Sequence, residues 1–250
     1  MTQPSIKDRL KIRQEPRNKL IVMHQDWRDL LFLHWEYDSA KLQRTLPEGL
    51  YVDTYNGRAY IGVIPFSLLN LRLNLLPPVP GISYFSEINV RTYVYDENGT
   101  PGVWFYSLDA DKFLAVEAAK LIDLPYRHAE ITNEKDPGNG IINFSVKRTG
   151  EIISSHFKYS MNGEESFADS ESLEFFLIER YLLFNYSKEK NMIRQIQVHH
   201  NPYPIVKADL LQWDDKMLRL NGFEVTNRKP DHTVMSPGVD TKIYMIEKGK

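Results

Sequence analysis

Glu87-Ile88-Asn89-Val90-Arg91-Thr92-Tyr93-Val94-Tyr95 is the stretch that decides the fold, because it alternates strictly between two kinds of side chain. Successive side chains of a strand point to opposite faces, so the aliphatic and β-branched residues fall on one face and the polar residues on the other. The second face carries a carboxylate, an amide, a guanidinium and two phenols, from Glu87, Asn89, Arg91, Tyr93 and Tyr95. In a one-sided sheet this face meets water, whereas a barrel can turn it inward to line a polar cavity. The alternation alone leaves both alternatives open.

Turn signals on both sides of this stretch predict a series of antiparallel hairpins. Asn56-Gly57 is a strong hairpin signal and predicts strands over residues 51–55 and 58–65. Residues 96–100 predict a second hairpin, which leads from the 87–95 strand to a strand over residues 103–108. The other expected strands cover residues 127–132, 141–148, 151–159 and 241–247, with turns at 161–163 and 236–238.

Three segments carry helical signals. We expect a short helix within residues 27–35 that leads into a strand, and a helix that begins after Asp109 or Asp111 and ends near Asp123. The best helical spacing covers residues 171–186, after a cap at Asp169-Ser170. Many hairpins with two or three helices indicate a mainly β (α+β) fold, barrel-like or an open cone.

Length and composition limit the class of protein. With 250 residues, 42% of them hydrophobic, the chain can bury a sizeable core, and we expect an arm over residues 1–20 followed by one domain over residues 21–250. The net charge of −2 predicts neither nucleic-acid nor membrane binding. The sequence contains no cysteine, which removes disulfides and thiolate chemistry and fits a cytoplasmic location.

A second group of chemically useful residues follows the expected helix end at Leu124-Pro125. On a strand that begins there, Tyr126 and His128 share one face and Arg127 lies on the other. Phenol, imidazole and guanidinium groups suit anion binding or proton transfer. The alternative is a helix stop and an ordinary strand start, and the residues alone favour it.

His199-His200 is the most obvious metal candidate, but neighbouring histidines on a strand point to opposite faces, and no third ligand follows at helical spacing. We therefore expect no metal and no cofactor. One histidine of the pair is expected to be a hydrogen-bonded core residue beside the turn at residues 202–204. Lys120, which could form a Schiff base if it were desolvated, is expected to be a solvated helix lysine.

Several sequence motifs occur together and resemble those of a known family. They are Leu31-Phe32-Leu33-His34-Trp35, Leu46-Pro47-x-Gly49-Leu50 with Asp53-Thr54, Ala59-Tyr60-Ile61-Gly62-Val63-Ile64-Pro65-Phe66, Glu87-x-Asn89-Val90-Arg91-Thr92-Tyr93-Val94, Pro101-Gly102-Val103, Leu124-Pro125-Tyr126, Glu179-Arg180-Tyr181, Val198-His199-His200 and Ser236-Pro237-Gly238-Val239-Asp240. They span nearly the whole chain. This set resembles the bacterial YqjF-like family, a domain of unknown function in the acetoacetate decarboxylase-like superfamily.

The resemblance implies a closed antiparallel β-cone around a polar cavity, with helices outside. It places Glu87 where the decarboxylases hold a glutamate on the equivalent strand. Their reactive lysine, which forms the Schiff base, corresponds to Tyr126 here, and its cationic neighbour to Arg127. A phenol cannot form an imine, so the resemblance does not carry acetoacetate decarboxylation over to this chain.

The preferred interpretation is a β-cone that binds a small polar or anionic organic molecule through Glu87, Arg91, Tyr126 and Arg127. A second class is a non-covalent lyase, isomerase or hydratase with Glu87 as base and Tyr126 as acid, which an inward Glu87 with a shifted pKa would favour. A third class is a structural or regulatory protein with a vestigial pocket, which an interior filled by Tyr and Phe rings would favour. The oligomeric state stays open, with a homo-oligomer as one alternative.

Overall fold

The computed structural model describes residues 2–112, 123–187, 189–226 and 228–248. This part of the chain forms a sheet of thirteen strands with four short helices. The helices are α1 (Ile6–Arg13), α2 (Ser39–Gln43), α3 (Leu173–Ile178) and α4 (Lys216–Arg219). The strands are β1 (Ile21–Tyr37), β2 (Leu50–Val52), β3 (Ala59–Leu73), β4 (Phe85–Asp96), β5 (Pro101–Ala110), β6 (Tyr126–Lys135), β7 (Ile142–Arg148), β8 (Ser155–Ser166), β9 (Leu182–Ser187), β10 (Met192–His199), β11 (Ile205–Gln212), β12 (His232–Tyr244) and β13 (Glu247–Lys248).

The sheet closes on itself in two rings of hydrogen-bonded strands. One ring runs β5-β6-β7-β8-β11-β12-β1-β3-β4 and returns to β5. The other runs β5-β9-β10-β12-β1-β3-β4 and also returns to β5. The two rings share β12, β1, β3, β4 and β5, and only the β5–β6 and β5–β9 pairs are parallel within the described residues. The mainly β, closed architecture confirms the predicted fold class.

The shared strands bury both of their faces, because each face belongs to a different hydrophobic core. The first core includes Ile88 and Val90 of β4 together with residues of β6, β7 and β8. The second core takes Phe85 and Tyr93 from β4 and packs them against α3. The polar face of β4 therefore turns inward, and only 2% of Glu87 and 9% of Arg91 is exposed. The alternative of a solvated polar face is excluded.

Two of the helix predictions are wrong. Residues 27–35 lie within β1, which pairs with β12 and β3 along most of its length. The predicted helix over residues 171–186 is only α3, capped by Ser172, and the chain leaves the helix at Glu179. Residues of β9 pair with β10 and β5 instead of continuing the helix. In both cases strand pairing outweighs a local apolar spacing that also fits a helix.

The predicted turns are correct in part. Asn56 and Gly57 form a tight turn with positive φ, but β2 pairs with β4 rather than across that turn with β3. Residues 161–163 lie inside β8, which begins at Ser155, and residues 236–238 lie inside β12. Gly238 is needed there for a close approach, because a Cβ atom would lie 2.1 Å from the Trp27 carbonyl oxygen.

The sequence predictions also covered the first twenty residues and a helix after β5. Residues 1–20 include α1, which Ser5 caps and which directs the buried Arg9 onto Asp53. The predicted helix near residues 111–123, including Lys120, lies mostly outside the described residues. Asp109 does not cap it, because Asp109 belongs to β5 and bonds Arg148. None of the described helices is long and apolar enough to cross a membrane.

Candidate functional site

Glu87 lies at the start of the inward polar face of β4. The Tyr126 hydroxyl donates a hydrogen bond of 2.7 Å to Glu87 Oε2. Burial raises the pKa of Glu87 to about 7, although hydrogen bonds from Tyr126 and Asn89 pull the pKa down, and the Asp109 carboxylate raises it further. A carboxyl group with this pKa can gain or release a proton near neutral pH.

Tyr126 reaches Glu87 because β6 runs parallel to β5, with Tyr126 opposite Leu108. The next residue, Arg127, points the other way and is exposed. An exposed Arg127 does not line the interior site, contrary to its assignment, because it lies at the start of β6, before Ala129 carries the same strand face into the first core. His128 contacts Thr149 Oγ1 at 3.0 Å and lies outside the interior site.

Arg91 lies on the same face as Glu87 and is nearly as buried. Its Nη2 donates to the Leu177 carbonyl oxygen at a long 3.4 Å, and its guanidinium lies 5.5 Å from the Phe32 ring centre and 5.7 Å from that of Tyr93. Arg91 Nε and Asn89 Oδ1 have no hydrogen-bond partner. Among the described residues, no carboxylate lies within ion-pair distance of Arg91, so Glu87 and Arg91 share a face without direct contact. We call Glu87, Asn89, Arg91, Tyr93 and Tyr126 the β4 polar cluster.

A buried ion-pair triad borders the cluster. Arg9 Nη1 and Nη2 donate to the two carboxylate oxygens of Asp53 at 2.6 and 2.8 Å. Arg180 Nη1 donates to Asp53 Oδ2 at 2.8 Å. The Arg180 guanidinium also lies 4.9 Å from the Tyr93 ring centre. Burial lowers the pKa of Arg180 to about 10, against the opposing effect of Asp53. Two cations on one buried carboxylate make this side of the interior electropositive.

Two buried histidines connect to the other side of Tyr93. The Tyr93 hydroxyl lies 2.6 Å from His34 Nε2, and His34 Nδ1 lies 3.0 Å from His232 Nδ1. Burial lowers the pKa of His34 well below its ordinary value and that of His232 to about 4, so both rings are neutral at pH 7. A Cβ atom on Gly62 would lie 2.8 Å from the His34 ring, so glycine at this position makes room for it.

The adjacent histidines on β10 and after it have different environments. His200 is buried, lies 4.5 Å from the ring centres of Tyr181 and Tyr203, and bonds the Asn201 carbonyl oxygen through Nδ1. This confirms that one histidine of the pair is a hydrogen-bonded core residue. His199 contacts the Arg13 carbonyl oxygen instead. No group of three or more His, Asp or Glu side chains in the described part of the chain is arranged to hold a metal ion.

The sequence interpretation missed Asp53, Arg180, His34 and His232. Their partners are remote along the chain, as with Arg180 and Asp53 at a separation of 127 residues, so no local spacing could have connected them. Three of the four stand in the motifs that carry the family resemblance, and those motifs are the one signal that could have identified them.

Two open depressions lie on the surface of the described part of the chain. One, of about 380 Å³, is lined by residues that include Asp111, His128 and Lys147. The other, of about 560 Å³, includes Asp96, Tyr186 and Ile193. Neither contains a residue of the β4 polar cluster, so both are separate from the predicted site.

Comparison with known proteins identifies the family. The sequence matches DUF2071, described as an uncharacterized conserved protein, over residues 24–240. The chain belongs to this family. It is 39% identical to the uncharacterized protein YqjF of Bacillus subtilis (strain 168) over 189 residues, which cover 75% of this chain and 76% of YqjF. The predicted resemblance to the YqjF-like family is confirmed.

Solved structures show that this DUF2071 member has an acetoacetate decarboxylase-like fold. Acetoacetate decarboxylase from Legionella pneumophila superposes with a TM-score of 0.60 at 11% identity, covering 100% of this chain and 97% of that one. An acetoacetate decarboxylase-like enzyme from Sphingomonas wittichii RW1 gives 0.59 at 14% identity, with coverages of 92% and 94%. The enduracididine biosynthesis enzyme MppR, complexed with pyruvate, gives 0.58 at 12% identity, with coverages of 94% and 93%.

Proposed function

We propose that the β4 polar cluster binds a small organic acid, and that Arg91 holds the carboxylate of that acid. The supporting observation is the state of Arg91, which is buried without a carboxylate partner among the described residues. The other buried arginines, Arg9, Arg148 and Arg180, each pair with an aspartate. A buried guanidinium without an anion is costly, and its planar fork matches a carboxylate. We propose the cytoplasm as the location of this binding, because the chain lacks cysteine.

The neighbouring groups suit a ligand that carries a second polar function. Asn89 Oδ1 is an unsatisfied acceptor between Glu87 and Arg91 on the same strand face. The Tyr126 hydroxyl donates a hydrogen bond to Glu87. Because the pKa of Glu87 is about 7, its carboxyl group is close to half protonated at pH 7. The ligand class has a precedent within the fold, because MppR has been solved with pyruvate, a small carboxylic acid.

Schiff-base chemistry is not part of this proposal. Tyr126 stands where the resemblance places the reactive lysine, and its hydroxyl already bonds Glu87. No lysine is buried in the part of the chain that the structure describes. We therefore expect no adduct that borohydride traps with acetoacetate, and a specific adduct on any internal lysine, found by mass spectrometry, would contradict this.

A second candidate function is catalysis without a covalent intermediate, as a lyase, isomerase or hydratase. The observation that favours it is the buried Glu87 with a pKa of about 7, next to the Tyr126 hydroxyl. Glu87 would remove or return a proton of a substrate whose carboxylate is held by Arg91. A structural or regulatory role is favoured instead by the rings of Phe32, Tyr93 and Phe176, which belong to the second core, where the Tyr93 and Phe176 rings are in contact.

The test is a thermal-shift comparison of matched acids and amides, such as pyruvate against pyruvamide, at constant ionic strength. Binding stabilises the folded state by about 2.7 kcal/mol at a hundredfold excess over the dissociation constant. We expect acids to stabilise the protein more than amides, and Arg91→Met to remove the difference. Arg127→Met is the matched control, because it removes an exposed positive charge from a neighbouring strand.

The outcomes separate the candidate functions. Equal responses to acids and amides in the wild type, or a preference that survives in Arg91→Met, would contradict the proposed binding. A preference that both arginine variants lose would indicate a general effect of net charge and would also contradict it. No response to any acid, with a loss of stability in Arg91→Met, would favour the structural role.

A further inference from the structure

A row of four side chains leads from the β4 polar cluster to the protein surface. Tyr93 contacts His34 at 2.6 Å, and His34 contacts His232 at 3.0 Å. His232 Nε2 lies 3.8 Å from Oε1 of Glu174, whose side chain is 39% exposed. His34 is fully buried and His232 nearly so. The gap at Glu174 is one that a bridging water or a small rotation of this exposed side chain closes.

A contact between His232 and Glu174 would set the direction of every proton in the row. His232 Nε2 has no hydrogen-bond partner in the structure, and Glu174 is the carboxylate that lies nearest to it in the row. A carboxylate only accepts, so once the gap closes His232 carries its proton on Nε2, toward Glu174. His232 Nδ1 must then accept, which makes His34 the donor through Nδ1. His34 Nε2 in turn accepts from the Tyr93 hydroxyl. Each donor thus points outward, from the interior to Glu174.

The opposite direction leaves a conflict at Glu174. It would turn the lone pair of His232 Nε2 toward the Glu174 carboxylate, and it would make His34 Nε2 donate to the Tyr93 oxygen. That oxygen already lies in the positive field of Arg91 and Arg180, whose guanidinium groups are 5.7 and 4.9 Å from the Tyr93 ring centre. Burial raises the pKa of Tyr93, and these cations oppose that rise because they stabilise negative charge on the Tyr93 oxygen.

The surroundings keep both imidazoles neutral and fixed. The charged and titratable groups that face them are Arg91 and Tyr93 from β4 and Glu174 from α3, besides the two rings themselves. The His34 ring also packs against Gly62, where a side chain would collide with it. A neutral imidazole can accept a proton on one nitrogen while it releases the proton of the other nitrogen, so the ring is neutral before and after the transfer.

We propose that Tyr93, His34, His232 and Glu174 form a proton path between the interior site and the solvent. A group bound beside Arg91 gives a proton to the Tyr93 oxygen as the Tyr93 proton moves to His34 Nε2. The Nδ1 proton of His34 moves to His232 Nδ1, and the Nε2 proton of His232 moves to Glu174, which releases it to water. The site loses one proton and the solvent gains one.

This transfer leaves each imidazole protonated on its other nitrogen. A second outward transfer would require both buried rings to rotate, whereas an inward transfer restores the starting state directly. The path therefore suits a reaction that removes a proton from its substrate and later returns one, as in an isomerisation. The inference rests on the proposed function for its use, because Tyr93 meets the ligand only if the ligand is bound at Arg91.

The first test reads the positions of the protons in the full chain without any ligand. Long-range ¹H–¹⁵N correlation spectra of histidine-labelled protein, assigned with His34→Asn and His232→Asn, distinguish the two neutral tautomers. We expect His34 with its proton on Nδ1 and His232 with its proton on Nε2. The reverse tautomers, or two charged imidazolium rings at pH 7, would overturn the proposal.

The second test measures whether Glu174 serves as the exit. Glu174→Gln keeps the size of the side chain and removes the base, and its surface position spares the fold. We expect exchange of the His34 Nδ1 proton with water to slow on the order of tenfold, since losing a positioned base has effects of this size or larger. Glu171→Gln, the same change on the same segment, should leave the exchange rate unaltered.

Equal exchange in the wild type and Glu174→Gln, or equal slowing in both variants, would overturn the path. Because both tests use protein without ligand, their failure is distinct from failure of acid binding. Equal responses to acids and amides in the wild type, with the expected tautomers and a Glu174 effect, would refute the proposed function and keep the path.

Discussion

Arg148 and Arg91 are equally buried, at 8% and 9% exposure, but they belong to different regions and have opposite surroundings. Arg148, beside the first core, holds both oxygens of Asp109 at 2.6 and 2.9 Å and also bonds Ser107. Arg91, on the second-core face, has one long bond to a carbonyl oxygen, the Tyr93 side chain as a further polar contact and an unpartnered Nε. A satisfied buried charge indicates structure, whereas an unsatisfied one indicates a site that a ligand completes.

Replacement of Arg148, beside the first core, should lower the free energy of unfolding more than any other change considered. Arg148→Met leaves the Asp109 carboxylate buried without a partner, which costs about 3–5 kcal/mol of the free energy of unfolding. Urea unfolding followed by circular dichroism measures this loss. Arg58→Met, at an exposed arginine 3.3 Å from Glu36, is the matched control and should cost less than about 1 kcal/mol. A similarly small loss in Arg148→Met would remove the contrast.

Glu87 should make the stability of the second-core region depend on pH. Its folded-state pKa of about 7 lies above the ordinary 4.5, so the folded state holds this proton more tightly than the unfolded chain. The stabilisation is complete below pH 4.5 and is lost as pH rises through 7, by about 3 kcal/mol at most. Unfolding of wild type and Glu87→Gln across this range measures the difference.

The control for this pH effect is Glu130→Gln, which alters an exposed carboxylate on β6. Its stability should follow the wild type at every pH. A wild type and a Glu87→Gln variant with the same pH profile would show that Glu87 titrates normally, and the catalytic candidate would lose its main support.

Tyr126→Phe should have a smaller effect that itself changes with pH. The lost hydrogen bond to Glu87 is worth about 1 kcal/mol when Glu87 is protonated and about 1.5–3 kcal/mol when it is ionised. The variant should also raise the pKa of Glu87, because the Tyr126 bond favours the charged form. Unfolding at pH 5 and pH 8 measures both. Tyr84→Phe, which loses an exposed bond to Asn70, is the control, and a pH-independent loss in Tyr126→Phe would refute the pairing.

The sequence predicted the elements that local chemistry controls. The alternation of residues 87–95, the turn at Asn56-Gly57 and the 96–100 hairpin all form, because side-chain period and turn residues act locally. The motifs identified the family and hence a closed sheet, and with it the inward direction of Glu87 and Arg91. Periodicity alone left that direction open. Polar and apolar residues alternate in the same way whether the polar face of a strand is buried or meets water.

Longer-range features could not be predicted in the same way. Residues 27–35 and 182–186 form strands because partner strands from elsewhere in the chain pair with them. Arg127 was assigned to the site by its type and position in a motif, but it is exposed at the start of β6. The triad on Asp53 and the row from Tyr93 to Glu174 join residues from remote segments, and only the closed fold brings them together.

Replacement of Arg91 tests the central claim most directly, because it should change stability least and binding most. Without ligand, Arg91→Met should unfold within about 1 kcal/mol of the wild type, since the lost contacts with the Phe32 and Tyr93 rings are offset by relief of an unpaired buried charge. The measurement is urea unfolding of both proteins with and without an excess of a small carboxylic acid. We predict equal stability without acid and stabilisation by the acid in the wild type alone. A loss of 3–5 kcal/mol without acid, as expected for Arg148→Met, or equal stabilisation by the acid in both proteins, would contradict the account.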